Sequence, residues 1–223
     1  MSDRQAETRQ YDQMYLTGDT TYERPLTSPY YPLYRKVLEL CAREGIRSVL
    51  EVGCGSGVLA EMLIAAGITY AGFDFSAVAV EKARQRNRGG RFSVADATDS
   101  GSYEVPYRGI ICCEVLEHIE PDLETVRRWR PGAVCVCSVP NFDYPTHVRL
   151  FRSESEVRRR YAALLDIKRI DRVAKSASAN LSWPNYFRRL RWARNEPTRL
   201  LGMLGINAFS WYGGWFVFVA QRR

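Results

Sequence analysis

The sequence predicts an α/β fold, a mostly parallel sheet with helices on both faces. Three observations predict it. Short apolar runs alternate with segments of helical periodicity along most of the chain. One of those runs, at 109–113, is continuous and apolar, as a strand buried on both faces is. Glycine or aspartate closes successive runs, at Gly53, Asp74 and Asp96. The 223 residues suit one domain with a substantial core, and a hydrophobic content of 46% excludes disorder as the main state.

The elements follow in order. The stretch to Thr27 is polar, with tyrosines at 11, 15 and 22, and predicts one short helix and a loop. Ser28 and Pro29 mark a helix start. Leu33, Val37, Leu40 and Cys41 then recur at helical spacing, and Gly45 ends the segment. Residues 48–52 are a first strand, running into a glycine-rich turn. Residues 58–66 place Leu59, Met62 and Leu63 on one helical face and stop at Gly67. A second strand over 69–73 ends at Asp74. Ser76 caps a helix to about Asn87, stopped by Gly89 and Gly90. Strands over 92–95 and 109–113, a helix over 123–129 and a strand over 133–139 complete the regular part.

Beyond it the pattern loosens. Residues 153–165 predict a basic amphipathic helix, 166–173 a sixth strand and 215–220 a central strand. The gap of about 40 residues between those strands is too long for a structureless loop. Helices are expected over 187–193 and 198–204, with Pro197 starting the second.

Composition narrows the function. The polar first ten residues hold no apolar leader core, and no apolar run approaches the ~20 residues that span a bilayer. A soluble cytoplasmic protein is expected. None of the six cysteines forms a CxxC pair, so zinc-site spacing is absent and they read as small core residues in a reducing compartment. Residues 1–120 hold 13 basic against 17 acidic residues, and the remainder 19 against 8. The basic part can attract an anionic acceptor, RNA or a membrane surface, or be a solvated face.

The chemistry collects at strand ends, which right-handed crossovers place on one edge of the sheet. A glycine turn between strand and helix lets backbone approach a ligand and aims free N–H groups at an anion. The glycines at 53, 55 and 57 give GxGxG, and Val58 stands after Gly57, so the third glycine of the dinucleotide fingerprint is missing. Asp74 can accept both hydroxyls of a ribose, Asp96 an exocyclic adenine amine, and Phe75 can lie against the adenine face.

The segments VLEVGCGSG (49–57), GFDFS (72–76), ADA (95–97), CEVLEHIEPD (113–122) and VPN (139–141) resemble the class I methyltransferases, particularly the subgroup with ubiquinone-biosynthesis O-methyltransferases and natural-product enzymes. The resemblance covers roughly residues 46–150. It implies a Rossmann-like seven-stranded sheet with an antiparallel last strand, fitting 215–220. The implied cofactor is S-adenosyl-L-methionine, with S-adenosyl-L-homocysteine as product. Glu51 and the turn Gly53, Cys54, Gly55 and Gly57 would contact the methionine part, Asp74 the ribose, and Asp96 with the Ala97 backbone the adenine. Glu114 would lie beside the sulfonium. Tyr11 and Tyr15 resemble N-terminal aromatics that close over the cofactor in relatives. One domain is then expected over 1–223, with lid helices over 1–45, a cofactor-binding core over 46–150 and a cap insertion over 174–214.

The expected reaction is methyl transfer to an O or N atom of a small molecule. His118 and His147 are the chain's only histidines and the candidate catalytic groups, His118 as general base and His147 as acceptor contact. Asn141 can orient cofactor or acceptor. Trp183, Tyr186, Trp211, Tyr212 and Arg149 either line the acceptor pocket or form the core of the cap. Two alternatives stand beside this. Glu114, Glu117, His118 and His147 resemble the metal ligands of small-RNA 3′-terminal ribose methyltransferases, although the interval between the histidines is shorter here; an RNA 2′-O-methyltransferase would follow. The other is a partner protein that binds cofactor without catalysis.

Overall fold

The computed structural model describes residues 3–17, 25–174, 209 and 213–223. The expected cap helices over 187–193 and 198–204, with Trp183, Tyr186, Trp211 and Tyr212, lie outside the described residues, as does Tyr22. Among those described are helices α1 (Asp3–Thr17), α2 (Tyr31–Arg43), α3 (Val58–Ala65), α4 (Ala77–Arg86), α5 (Asp122–Arg127) and α6 (Glu154–Tyr161). The strands are β1 (Ser48–Val52), β2 (Thr69–Asp74), β3 (Arg91–Val94), β4 (Gly109–Cys113), β5 (Val134–Pro140), β6 (Leu165–Ala174) and β7 (Gly214–Arg222).

The seven strands form one sheet in the order β3-β2-β1-β4-β5-β7-β6. β1 pairs in parallel with β2 on one side and β4 on the other. The strand order therefore reverses between β1 and β4, and a crevice opens there at the strands' C-terminal ends. β7 runs antiparallel between β5 and β6, as the resemblance implies.

Side-chain alternation divides the core in two. Leu50, Val52, Ile110, Cys112, Cys135, Cys137, Phe216 and Phe218 face a cluster completed by Val126 and Trp129, and by Val157 and Tyr161 of α6. Their neighbours Val49, Ile111, Val136, Val217 and Val219 face Leu33, Val37 and Leu40 of α2, Leu59 and Leu63 of α3, and Val80 and Ala83 of α4. With both faces covered, the central strands β4, β5 and β7 need no polar side, and their apolar runs follow. The cysteines are free and mostly buried.

Three elements differ from expectation. α1 is 15 residues long rather than short. α2 starts at Tyr31 with Pro32 in its first turn, because Ser28 and Pro29 form a preceding turn in which Tyr31 N–H bonds the Ser28 carbonyl at 3.1 Å. α6 stops at Tyr161 instead of continuing to 165. Leu164 and Leu165 extend its apolar stripe in sequence, but Leu165 is taken as the first residue of β6, paired with Arg222. β6 is an edge strand, and its charged residues Lys168, Arg169 and Arg172 pair with Asp166, Asp171 and Glu154. Such an edge discourages further strand addition. No helix among the described residues is long and apolar enough to cross a membrane.

Phe218 is fully buried in the strand on which both β5 and β6 pair. Phe218→Ala is expected to cost ~3–5 kcal/mol of stability in urea unfolding, from lost burial plus the cavity left behind; a loss below about 1 kcal/mol would contradict this packing.

Candidate functional site

The site begins where β1 ends. Gly57 caps α3 in the left-handed region at φ 75°, and a Cβ there would come within 2.6 Å of Asn87 Nδ2. That nitrogen donates to the Gly57 carbonyl at 2.8 Å. Gly55, at φ 50°, has no room for a Cβ either, because one would lie 2.8 Å from the Tyr15 hydroxyl. A residue with a side chain would be strained at both positions and would close the approach to the turn. Gly53 is packed against Val115, and Cys54 is buried with its amide bonded to the Phe73 carbonyl at 2.9 Å.

Asp74 ends β2 beside this turn and is buried. Its Oδ2 accepts from Gly55 N–H at 2.9 Å and its Oδ1 from Ser76 N–H at 2.9 Å. Burial raises its pKa, and these two backbone donors oppose the rise. Ser76 caps α4 by accepting from Ala79 N–H at 3.1 Å, as its sequence position predicts, and also donates to Asp12 at 2.5 Å. Glu51 is only 4% exposed and accepts from the Tyr70 hydroxyl at 2.5 Å. Burial pushes its carboxyl up to about 8, the Tyr70 hydrogen bond opposes the rise and Asp74 adds to it. At the end of β3, Asp96 Oδ1 accepts from the Thr98 N–H and hydroxyl at 2.7 and 2.6 Å, and the Ala97 carbonyl accepts from Tyr103 at 2.7 Å.

Helix α1 lies over these strand ends. Tyr11 meets Phe75 edge-on at 5.1 Å between ring centroids, Asp12 takes the Ser76 hydroxyl, and Tyr15 reaches Gly55. Tyr11 and Tyr15 are four residues apart and so share a helical face. Burial raises the Tyr15 phenol well above its ordinary range, with the Asp74 charge contributing next. The sequence marks the two tyrosines. It does not mark Asp12, which is visible only once α1 is seen to dock on α4.

Beyond β4 stands a second group. Glu114 is the one non-glycine residue with positive φ among the described residues, at 58°. Ser138 of β5 bridges it, accepting from the Glu114 amide at 3.2 Å and lying 3.3 Å from its carboxylate. Backbone strain of this kind collects at functional sites. Glu117 is fully buried, and its carboxyl is raised well above the ordinary range by burial and then by Glu114. His118 Nδ1 lies 3.0 Å from the Thr146 carbonyl, which assigns the proton to that nitrogen. Burial lowers His118 to about 4, against the Thr146 bond. His147 packs edge-on against it at 4.8 Å. Ligand atoms of Glu117, His118 and His147 all lie within 4.8 Å of one another.

Two further residues tie loops together. The Arg149 guanidinium donates to the carbonyls of Leu116, Ile119 and Glu120 at 2.5–2.9 Å and pairs with buried Asp122 at 3.4 Å. It holds the loop that carries Glu117 and His118. Asn141 accepts from Gly214 N–H at 2.7 Å and joins the start of β7 to the end of β5. Sequence reasoning missed Tyr70, Ser138 and Thr146, because a hydroxyl inside a strand or loop carries no local signal of its partner.

Glu51, the glycine turn, Asp74, Phe75, Asp96, Tyr15, Glu114, Glu117 and both histidines thus gather along the strands' C-terminal edge and the loops that leave it. A family model described as a methyltransferase domain matches residues 26–199. The ubiquinone biosynthesis O-methyltransferase of Vibrio parahaemolyticus is 32% identical over 90 residues, covering 36% of this chain and 37% of that protein. The chain therefore spans little more than a third of the length of that relative. Among solved structures, the N-methyltransferase NodS from Bradyrhizobium japonicum, in complex with S-adenosyl-L-homocysteine, matches with a TM-score of 0.62 and 16% identity, over 97% of this chain and 98% of that one. The magnesium protoporphyrin IX methyltransferase ChlM from Synechocystis, with bound S-adenosylmethionine, matches with a TM-score of 0.59 and 16% identity, over 100% and 99%. At such identities the structural likeness is one of fold, whereas the family match extends over most of the sequence. The chain belongs to the methyltransferase domain family, and its architecture is that of the class I, S-adenosylmethionine-dependent fold.

Proposed function

We propose that the protein transfers a methyl group from S-adenosyl-L-methionine to an oxygen or nitrogen of a small-molecule acceptor. The observation that carries this reading is a neutral imidazole, His118, fixed through Nδ1 beyond the same sheet edge as Asp74 and Glu51. When bound, the cofactor supplies an electrophilic methyl on sulfur for in-line displacement. The buried Glu51 and the turn from Gly53 to Gly57 receive the methionine part, and burial of a carboxyl favours a cationic guest. Asp74 keeps a second lone pair on each oxygen for the ribose hydroxyls. Phe75, Asp96 and the Ala97 backbone would hold the adenine, Glu114 would face the sulfonium, and Tyr15 would cover the cofactor from α1. His118 presents Nε2 as a proton acceptor, with His147 beside it. A base near 4 is weak for an ordinary alcohol. It suits an acidic hydroxyl, or an amine that attacks while neutral.

A second reading has its own observation. Both carboxylate oxygens of the fully buried Glu117 lack a hydrogen-bond partner among the described residues. Its Oε1 lies 3.9 Å from His118 Nε2. Glu117, His118 and His147 bring one carboxyl and two imidazoles within 4.8 Å of one another, a set that would hold a divalent cation able to polarise an acceptor hydroxyl; Glu114, the fourth expected ligand, is not part of that group. Thr146 leaves His118 Nε2 for that role. An RNA acceptor draws less support, because several basic residues of the C-terminal part are already paired, Arg160 with Asp122 and Arg172 with Glu154 among them.

Calorimetric titration with S-adenosyl-L-homocysteine should show one site per chain; no binding would remove the methyltransferase reading. In labelled methyl transfer to a metabolite extract, His118→Gln is expected to lower the rate on a hydroxyl acceptor by roughly 10²-fold or more. Loss of activity in EDTA with recovery on Mg²⁺ or Mn²⁺ would select the metal reading, and full activity in EDTA the general base.

The His118 ring should titrate near 4 in ¹H–¹⁵N NMR spectra of the free protein. Its folded pKa lies below the ordinary 6.5. The stability it contributes is therefore complete above that value and is lost as pH falls toward 4. A midpoint at or above 6.5 would contradict the burial described.

A further inference from the structure

One buried contact is left over by the proposed reaction. Tyr70 and Glu51 stand on adjacent strands, yet they are not register partners: Val49 pairs with Tyr70, and Glu51 with Gly72. The phenol reaches the carboxyl by lying along its own strand, across the place where residue 72 would carry a side chain. A Cβ at Gly72 would collide with the Tyr70 hydroxyl and come within 3.0 Å of Cys54 Cβ. Glycine at 72 thus makes a channel for the tyrosine beneath the glycine turn. The Tyr70 ring is held from behind by Phe92, at 5.3 Å between centroids. Its hydroxyl donates to Glu51 at 2.5 Å.

Among the described residues, the surroundings of Glu51 supply no positive charge. Asp74 and Tyr70 lie near it on β2, Tyr34 and Cys41 on α2, Cys54 in the turn and Cys113 on β4. All are acids or neutral groups, and no basic side chain pairs with Glu51 among the described residues. A buried carboxyl with one donor and no cation is costly to ionise, unless the ligand brings the cation.

We propose that Tyr70 is a positioning residue for cofactor binding: from the channel over Gly72 its hydroxyl fixes the Glu51 carboxyl beneath the glycine turn, facing the cationic amine of the cofactor's methionine part. This rests on the cofactor reading above. In the ligand-free protein Glu51 holds its proton at neutral pH and gives it up when the cationic ligand arrives, so binding releases a proton. Affinity then rises with pH until the free carboxyl is itself ionised, near 8. Removing the Tyr70 donor withdraws more support from the charged form than from the neutral one. The window therefore moves to higher pH.

The test is calorimetric titration of S-adenosyl-L-homocysteine from pH 6 to 9 with wild type, Tyr70→Phe, Glu51→Gln and the double variant. Phenylalanine keeps the ring that packs on Phe92. Glu51→Gln keeps the ligand's own amine titration and loses the carboxyl. The wild type should gain up to about tenfold in affinity per pH unit below 8, in excess of Glu51→Gln. Tyr70→Phe should bind about tenfold more weakly or worse at pH 7, with its pH midpoint raised. In the Glu51→Gln background the added Tyr70→Phe change should matter much less. A Tyr70→Phe profile that overlays the wild type, or an equal effect in both backgrounds, overturns the assignment of Tyr70. A wild-type profile matching Glu51→Gln overturns it without recourse to the tyrosine variant. No binding by the wild type at any pH overturns the cofactor reading itself, and this proposal with it.

Discussion

The carboxylate of Asp74 ties together the parts on which the site depends. One oxygen takes the N–H of Gly55 and the other the N–H of Ser76. The first bond sets the glycine turn after β1; the second sets the entry to α4. Ser76 passes the constraint outward, capping α4 with its hydroxyl and holding Asp12 of α1. A single buried acid thereby fixes the spacing of two strand ends and the seat of the helix that covers them. Hydrogen bonds to an ionised acceptor are about twice as strong as neutral ones, and burial shields this one from competing water.

The same edge is acidic. Glu51, Asp74 and Glu117 are buried, and several basic residues are held in ion pairs: Arg160 and Arg149 with Asp122, Arg172 with Glu154. Burial raises the carboxyls of Glu51 and Glu117 above their ordinary range, with Asp74 adding to the first and Glu114 to the second. Glu51 and Asp74 border the glycine turn, whereas Glu117 has the imidazoles of His118 and His147 beside it. Arg149 serves both readings by gripping three carbonyls of the loop that carries Glu117 and His118.

Much of the cofactor side was legible in sequence. The positions of Gly55, Asp74, Ser76 and Asp96 are set by local rules, since turns need glycine, caps need serine, and strand ends recur with the alternation. The acceptor side was not. Thr146 and Ser138 act through contacts with residues 28 and 24 positions away. Arg149 likewise holds carbonyls 29 to 33 positions away, and spacing along the chain gives no sign of those bonds. The stop of α6 at Tyr161 shows the same limit, because Leu165 fits a helical stripe by spacing and is claimed by pairing with Arg222.

The sequence by itself determined the alternation of strands and helices, the glycine turn and the acids that close β2 and β3, because each depends on the few residues around it. Only the tertiary structure decided that Tyr70 passes over Gly72 to Glu51, that Asp12 latches α1 to α4, and that His118 is neutral beside a buried Glu117. Those facts depend on which strands become neighbours and on how much water they exclude. Neither quantity is a property of any short stretch of chain.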